Sequence, residues 1–313
     1  MLAYIARRLV ATLPVMGTVA IVVFAILRLT PGDPAAIIAG DSATSEQLQH
    51  IRAQMGLDKP IYVQFLLWLV QLLRGDLGVS LISGVPVSGM IADRIGPTVA
   101  LGTAIIVFSV IVAIPLGVMA AWRQGTLLDR SVTAFSVFGF SVPVFVNGYL
   151  LILLFSIALG WLPVQGYRPL GAGFWPFFER LILPTLALST AYIALITRIT
   201  RTSILEVMGE DYIRSARAKG VKESTVLIRH ALRNAAVPIV TIIGVGIATL
   251  ISGVVVTESV FNLPGLGRLV VEAVLARDYP VIQGLIMFFS FVYILINLLV
   301  DVLYTVLDPR IRY

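Results

Sequence analysis

Long apolar runs set the plan of this chain. They lie at about residues 9–29, 98–122, 131–159, 181–198, 237–257 and 279–300, each near or above the roughly 20 residues a helix needs to cross a bilayer's hydrocarbon core. The pattern predicts an all-α integral membrane protein with six transmembrane helices in one domain over residues 1–313. The first run follows Arg7 and Arg8 and is too long for a signal-peptide core, so it reads as an uncleaved anchor. Pro14, Pro115 and Pro143 fall inside runs, where each removes a backbone hydrogen bond and can kink a helix. Gly244, Ala248 and Ser252 repeat at a spacing of four, so one face of the fifth helix admits a close neighbour.

The polar connections are unequal. Residues 30–97 form a large outer loop, in which Thr44 and Gln47 have the spacing of a capping box ahead of Leu48, Ile51 and Met55, with Gly56 as the stop. Within it Ile61–Leu73 is apolar but only about 13 residues long and interrupted by Gln64 and Gln71, which suits an interfacial or re-entrant helix. The second large connection is residues 201–236.

From Asp211 to Pro238 the chain reads DYIRSARAKGVKESTVLIRHALRNAAVP, a charged, alanine-rich island. A helix is predicted from Asp211 to Lys219, running from an acidic start to Arg217 and Lys219, with Gly220 as its stop. A second is predicted from about Ser224 to Asn234, carrying Val226, Leu227, Ala231 and Leu232. A helix of about nine residues is marginal in water by itself, so the first one needs a surface to dock on. Ser215, Ala216 and Ala218 are small enough for another protein to approach the backbone, and Arg214, Arg217 and Lys219 stand ready for acidic groups around it. The other reading is an amphipathic segment lying on anionic headgroups.

Composition supports the membrane class: 58% of residues are hydrophobic, 13% are charged, and mean hydropathy is +0.96. The net charge of +6 does not mark a nucleic-acid groove, because the basic residues sit between apolar spans rather than in a cluster. They report topology instead. With the N-terminus inside, the inner segments hold Arg7, Arg8, Arg123, Arg130, Arg198, Arg201, Arg214, Arg217, Lys219, Lys222, Arg229, Arg233, Arg310 and Arg312, 14 of the 23 basic residues. The longer outer segments hold eight, so the positive-inside rule puts both termini and the island in the cytoplasm. Cysteine is absent, which excludes disulfides and thiolate metal sites.

Candidate chemistry is sparse. No GxxxxGK[ST] loop cradles a nucleotide phosphate, and no HExxH or GxSxG occurs. His50 and His230 fall on opposite sides of the predicted membrane, so they form no shared metal or catalytic site. Asn147 and Gln283 are the conspicuous polar side chains within spans, where helix-to-helix hydrogen bonding competes with substrate contact. Glu258 and Asp301 lie at span edges, read as solvated or interfacial. An ion-driven carrier usually needs an ionisable group at membrane depth, and the spans carry none.

The island is similar to the cytoplasmic coupling loop of binding-protein-dependent ABC importer permeases, whose motif is Glu-Ala-Ala, three residues, Gly, nine residues, then Ile-x-Leu-Pro. With Gly220 as the glycine, the triplet is Arg214-Ser215-Ala216 and the last group is His230-Ala231-Leu232-Arg233, so Ala216, Gly220 and Leu232 match. The form ARAKG followed by RHALRNA resembles the dipeptide, oligopeptide and nickel branch, as do GDPA near the start, TESVFNLPGLGRL, ARDYPVIQG and the terminal LDPRIRY.

The resemblance implies a type I importer permease fold and a bacterial plasma-membrane location. It further implies a non-enzymatic subunit that moves short peptides, nickel chelates or glutathione-like peptides delivered by an extracytoplasmic binding protein. The implied partners are a second homologous permease and one or two ATPase subunits, which would carry the ATP and Mg that this chain does not bind. The docking helix would be Asp211 to Gly220. The outer loop, with four basic residues against six acidic ones, is expected to contact or support the binding protein. An ion-coupled secondary transporter is the alternative.

Overall fold

The computed structural model describes residues 2–29, 35, 44–54 and 57–307. Gly56, most of the GDPA segment and residues 308–313 of the terminal motif lie outside them. α1 (Leu2–Leu29) carries Pro14 in its interior. α2 (Ser45–Gln54) opens with the predicted capping box, in which the Thr44 N–H donates to Gln47 Oε1 at 2.9 Å and the Gln47 N–H donates to Thr44 Oγ1 at 3.3 Å. Two donors that a helix start leaves unsatisfied are thereby paired. α3 (Ile61–Leu73) coincides with the short apolar stretch of the outer loop.

α4 (Val87–Trp122) starts well before the apolar run at residue 98. Its extra turns are charged, and Arg94 is held at 2.7 Å by Glu272, so the outer loop is shorter than the run boundaries imply. α5 (Leu127–Ser141) and α6 (Val144–Leu151, continued by a π-helical stretch Ile152–Ala158) meet at 104°. The predicted span 131–159 is therefore not straight. Pro143 supplies the cause: it pushes the preceding residue out of the helical region, and Val142 is extended at φ −91°, ψ 120°.

α7 (Phe174–Met208) runs past the end of its apolar run and leads directly to α8 (Asp211–Ala218). α9 (Glu223–Thr225) continues as a π-helical stretch, Val226–Leu232, and bends by 59° into α10 (Ala236–Val260). α11 (Leu266–Leu275) and α12 (Tyr279–Leu307) are the last of the described elements. Among the described residues α4, α7 and α12 are long and apolar enough to cross a membrane, and counting each bent pair as one span brings the number to five. α1 adds a shorter apolar stretch, Val10–Ile26. Five of the six predicted runs fall on unbroken helix, and the run 131–159 is helical on either side of its break at Val142 and Pro143.

The chain divides into two compact units, one of Met1–Gly96 with Arg268–Ile294 and one of Pro97–Gly267 with Leu295–Tyr313. In the first, Phe24 of α1 packs 5.3 Å from Phe65 and 5.8 Å from Trp68 of α3, ring centre to ring centre. A one-bridge turn pairs Val79 with Pro86, and the buried Asp278 carboxylate accepts from Ser80 Oγ and from the Leu81 N–H.

The second unit holds the main core, where Leu101 and Ile105 of α4 meet Leu183 and Leu188 of α7 and Leu250 and Val254 of α10. Asn147 Nδ2 donates to the Ala187 carbonyl at 3.0 Å and to Thr190 Oγ1 at 3.1 Å, a link from α6 to α7. The small-residue face of α10 differs from expectation. Gly244 does lie against Val300 of α12, but Ser252 is exposed, and the tight contacts to α7 are made by Gly246 on Tyr192 and Gly253 on Leu188. Helix approach is set by glycines on two faces rather than by one stripe.

Glu258 overturns its reading as a solvated edge residue. It is fully buried, and its Oε1 accepts from Thr98 Oγ1 at 2.6 Å. Thr98 Oγ1 in turn accepts the Leu266 N–H at 2.8 Å. The carboxylate so helps fix the turn between α10 and α11.

Candidate functional site

The loop between α7 and α10 is built from its two ends inward. α7 closes at Gly209, and Glu210, extended at φ −73°, ψ 149°, starts α8. Asp211 sits in the first turn and Arg217 in the last, each at the end the helix dipole favours. Ile213 is the one fully buried side chain of α8. Ala216 is half-buried on the same side, three residues on, while Asp211, Tyr212, Arg214, Ser215, Ala218 and Lys219 are exposed. Of the small residues expected on the docking face, Ser215 and Ala218 are exposed, whereas Ala216 lies on the side of the buried Ile213.

The end of α8 is a Schellman turn. Lys219 caps the helix, Gly220 follows at φ +75°, the Gly220 N–H donates to the Arg217 carbonyl at 2.9 Å and the Val221 N–H donates to the Ala216 carbonyl at 3.2 Å. That pair of bonds satisfies carbonyls the helix end would otherwise orphan, and the left-handed residue it requires is the glycine. A Cβ added at Gly220 would touch nothing within 4 Å, so conformation alone, and not crowding, demands glycine here.

Beyond the turn, Val226, Leu227 and Ala231 are buried, and Leu227 and Ala231 pack with Ala121, Ile204, Ala235 and Ile239. Leu232 is half-buried against the same cluster. α8 therefore hangs between the end of α7 and a helix locked into the core.

One charge differs from expectation. Arg217 is not left for an outside acidic group: its Nη2 donates to Glu223 Oε1 at 2.6 Å and its Nε to Glu223 Oε2 at 3.1 Å. The pairing holds the Glu223 carboxyl below its usual range and raises the guanidinium further. Arg214 is paired within its own helix to Asp211, an exposed contact that contributes little. Lys219 is exposed at the helix end. Tyr212, 43% exposed, has its hydroxyl shifted up by partial burial and by the Glu210 charge.

Ile213 and Glu223 were not singled out by sequence. Ile213 had a signal, since it and Ala216 are the apolar pair at a spacing of three in an otherwise polar helix. Glu223 had none, because its partner lies across a turn.

Comparison with known proteins gives the family of the chain. Residues 113–313 match the family described as binding-protein-dependent transport system inner membrane component, and residues 1–102 match the N-terminal region of such membrane components. The chain is 53% identical over 310 residues to the probable peptide ABC transporter permease protein y4tP of Sinorhizobium fredii, covering 99% of each chain. It is 45% identical over 313 residues to the glutathione transport system permease protein GsiC of Escherichia coli (strain CFT073), covering all of both. Among solved structures, an inward-facing MetNI methionine ABC transporter matches with a TM-score of 0.59 at 17% identity, over 71% of this chain and 97% of that one. At that identity the likeness supports the fold alone.

Proposed function

The chain belongs to the binding-protein-dependent transport inner membrane component family, and from that premise we propose that it carries short peptides across the bacterial plasma membrane. It is a permease subunit of an ATP-driven importer and not an enzyme. The observation that carries the substrate class is the full-length similarity to a peptide permease at 53% identity. Glutathione, the substrate in the name of a second relative, is itself a tripeptide, so both relatives point to one chemistry.

The transport reading assigns α8 to the contact with separate ATPase subunits, which hold the ATP and Mg. α8 suits that task because it is short, ends in a fixed turn, exposes its polar face and lies between the long α7 and the core-packed stretch Val226–Leu232, so a push on it is passed on as rigid-body motion. A second homologous permease completes the pathway, a binding protein delivers the peptide from outside, and both termini of this chain face the cytoplasm.

The test is uptake of labelled di- and tripeptides into proteoliposomes that hold the assembled transporter, with its binding protein supplied on the outer face. Uptake that needs ATP on the α8 side is expected. Uptake driven by an ion gradient without ATP would overturn the proposal.

A further inference from the structure

A cavity of about 420 Å³ opens between α5 and α7, within the size range of small-ligand sites. Its walls are of two kinds. Val132, Val137 and Phe140 supply an apolar side, and Arg198, Arg201 and a set of hydroxyls supply the polar one. The two arginines differ. Arg201 is matched by the buried Asp129, which accepts from its Nε at 2.5 Å and from its Nη2 at 2.8 Å. Arg198 is exposed and, among the described residues, meets no carboxylate, so the pocket carries one uncompensated positive charge.

The hydroxyls narrow the chemistry. Ser136, Ser141 and Thr202 each donate to the carbonyl four residues earlier, Val132, Val137 and Arg198 respectively. Their protons are spent, which leaves acceptor oxygens facing the cavity. A fitting ligand has an anionic group for Arg198, hydroxyl donors for these oxygens and an apolar part for the Phe140 side.

Depth identifies the source. No charge occurs in α7 from Leu181 to Thr197, 17 residues that at 1.5 Å each extend about 26 Å, close to the thickness of the hydrocarbon core. Arg198 is the first charge after that stretch, so it stands at headgroup level on the side where α7 leads into α8. Basic pockets between membrane helices at this level suit lipid phosphates.

We propose that the cavity between α5 and α7 binds an anionic phospholipid of the phosphatidylglycerol type from the leaflet on the α8 side, with its phosphate on Arg198, its glycerol hydroxyls on the serine and threonine oxygens and an acyl chain along Phe140.

The full chain, in nanodiscs of equal phosphatidylglycerol and phosphatidylcholine, is released into a native mass spectrometer and its retained lipids are counted. Phosphatidylglycerol should be kept preferentially by the unaltered protein. Arg198→Gln should lower its retention about fivefold, the effect of one basic group near the surface, while Arg198→Lys keeps most of the preference. Lys222→Gln, an exposed inner charge outside the cavity, should change nothing. Equal retention of the two lipids, or equal losses in Arg198→Gln and Lys222→Gln, overturns the site. Displacement of bound phosphatidylglycerol by an added dialanine peptide would assign the cavity to a soluble carboxylate and overturn it too.

Discussion

Arg217 and Glu223 face each other across the Gly220 turn, with guanidinium Nη2 and Nε on the two carboxylate oxygens at 2.6 and 3.1 Å. The pair closes the loop between α8 and α9 like a clasp. Replacing either residue by Ala should loosen α8, seen as faster hydrogen exchange over residues 211–220, and the two losses should not add because one contact is removed twice. The charge-reversed double variant Arg217→Glu with Glu223→Arg should recover most of the protection. Independent, additive losses would show that the side chains do not act as a pair.

The same pair sets a pH dependence. Glu223 is held below its ordinary value near 4.5, chiefly by the Arg217 hydrogen bonds, so it gains stability from folding only while ionised. That contribution is fully present above the ordinary carboxyl range and is lost as pH falls through the lower folded value. Exchange protection of α8 should therefore be flat from neutral pH to about 5 and drop only in more acidic solution, and Glu223→Gln should abolish the drop. Both groups are more than a third exposed, so the effect is small.

Gly220 is required for its φ of +75°, and a side chain there pays roughly 1–2 kcal/mol for the left-handed conformation. Gly220→Val should insert normally, since no span is touched, yet bind the ATPase subunits poorly and lower peptide uptake in the same membranes. Gly220→Asn, which tolerates that conformation better, should fall between. Normal co-purification and uptake in Gly220→Val would remove α8 as the docking element.

Between α10 and α11 the chain has no room to spare. A Cβ on Gly265 would lie 2.0 Å from Glu258 Oε1, and the buried carboxylate cannot retreat without giving up Thr98. Gly265→Ala should destabilise the protein by about 1–3 kcal/mol, the usual range for overpacking. Glu258→Gln keeps both the shape and an acceptor oxygen for Thr98, so thermal unfolding in detergent should rank it well above Gly265→Ala.

What could be read from sequence was local. The Thr44 and Gln47 capping box, the Gly220 stop and the polar Asn147 each depend on neighbours a few residues away or on an apolar setting, and each is found as expected. Of the motif positions, the three that match the family pattern, Ala216, Gly220 and Leu232, are those that build the turn and its support: Ala216 accepts the Val221 N–H, Gly220 supplies the left-handed residue and Leu232 packs in the core. The exposed face is where the pattern departs. Distance hid the rest. Glu258 is buried because Thr98, 160 positions away in sequence, comes to it, and no run of hydropathy encodes that encounter. Pro143 predicted a kink, but the 104° angle depends on what α5 and α6 pack against.

Sidedness is the remaining consequence of the charge pattern, and it can be tested on a protein that has no cysteine of its own. Gln49 on α2 and Lys222 beside the α8 turn are both exposed, so a single cysteine at either is reachable by a thiol reagent from whichever side it faces. α3 decides the outcome. At 13 residues and about 20 Å, it falls short of the hydrocarbon core of about 30 Å, so it should not cross, and the segments before and after it should share a side. With α5–α6 counted as one, α1, α4, α5–α6 and α7 make four crossings before α8, and α10 and α12 make two more, so α8 and the C-terminus should share the side of the N-terminus. On intact cells a membrane-impermeant maleimide should label Gln49→Cys and spare Lys222→Cys, and lysis should expose the second. The reverse pattern would place α8 outside, away from any ATPase, and would remove the coupling role together with the topology.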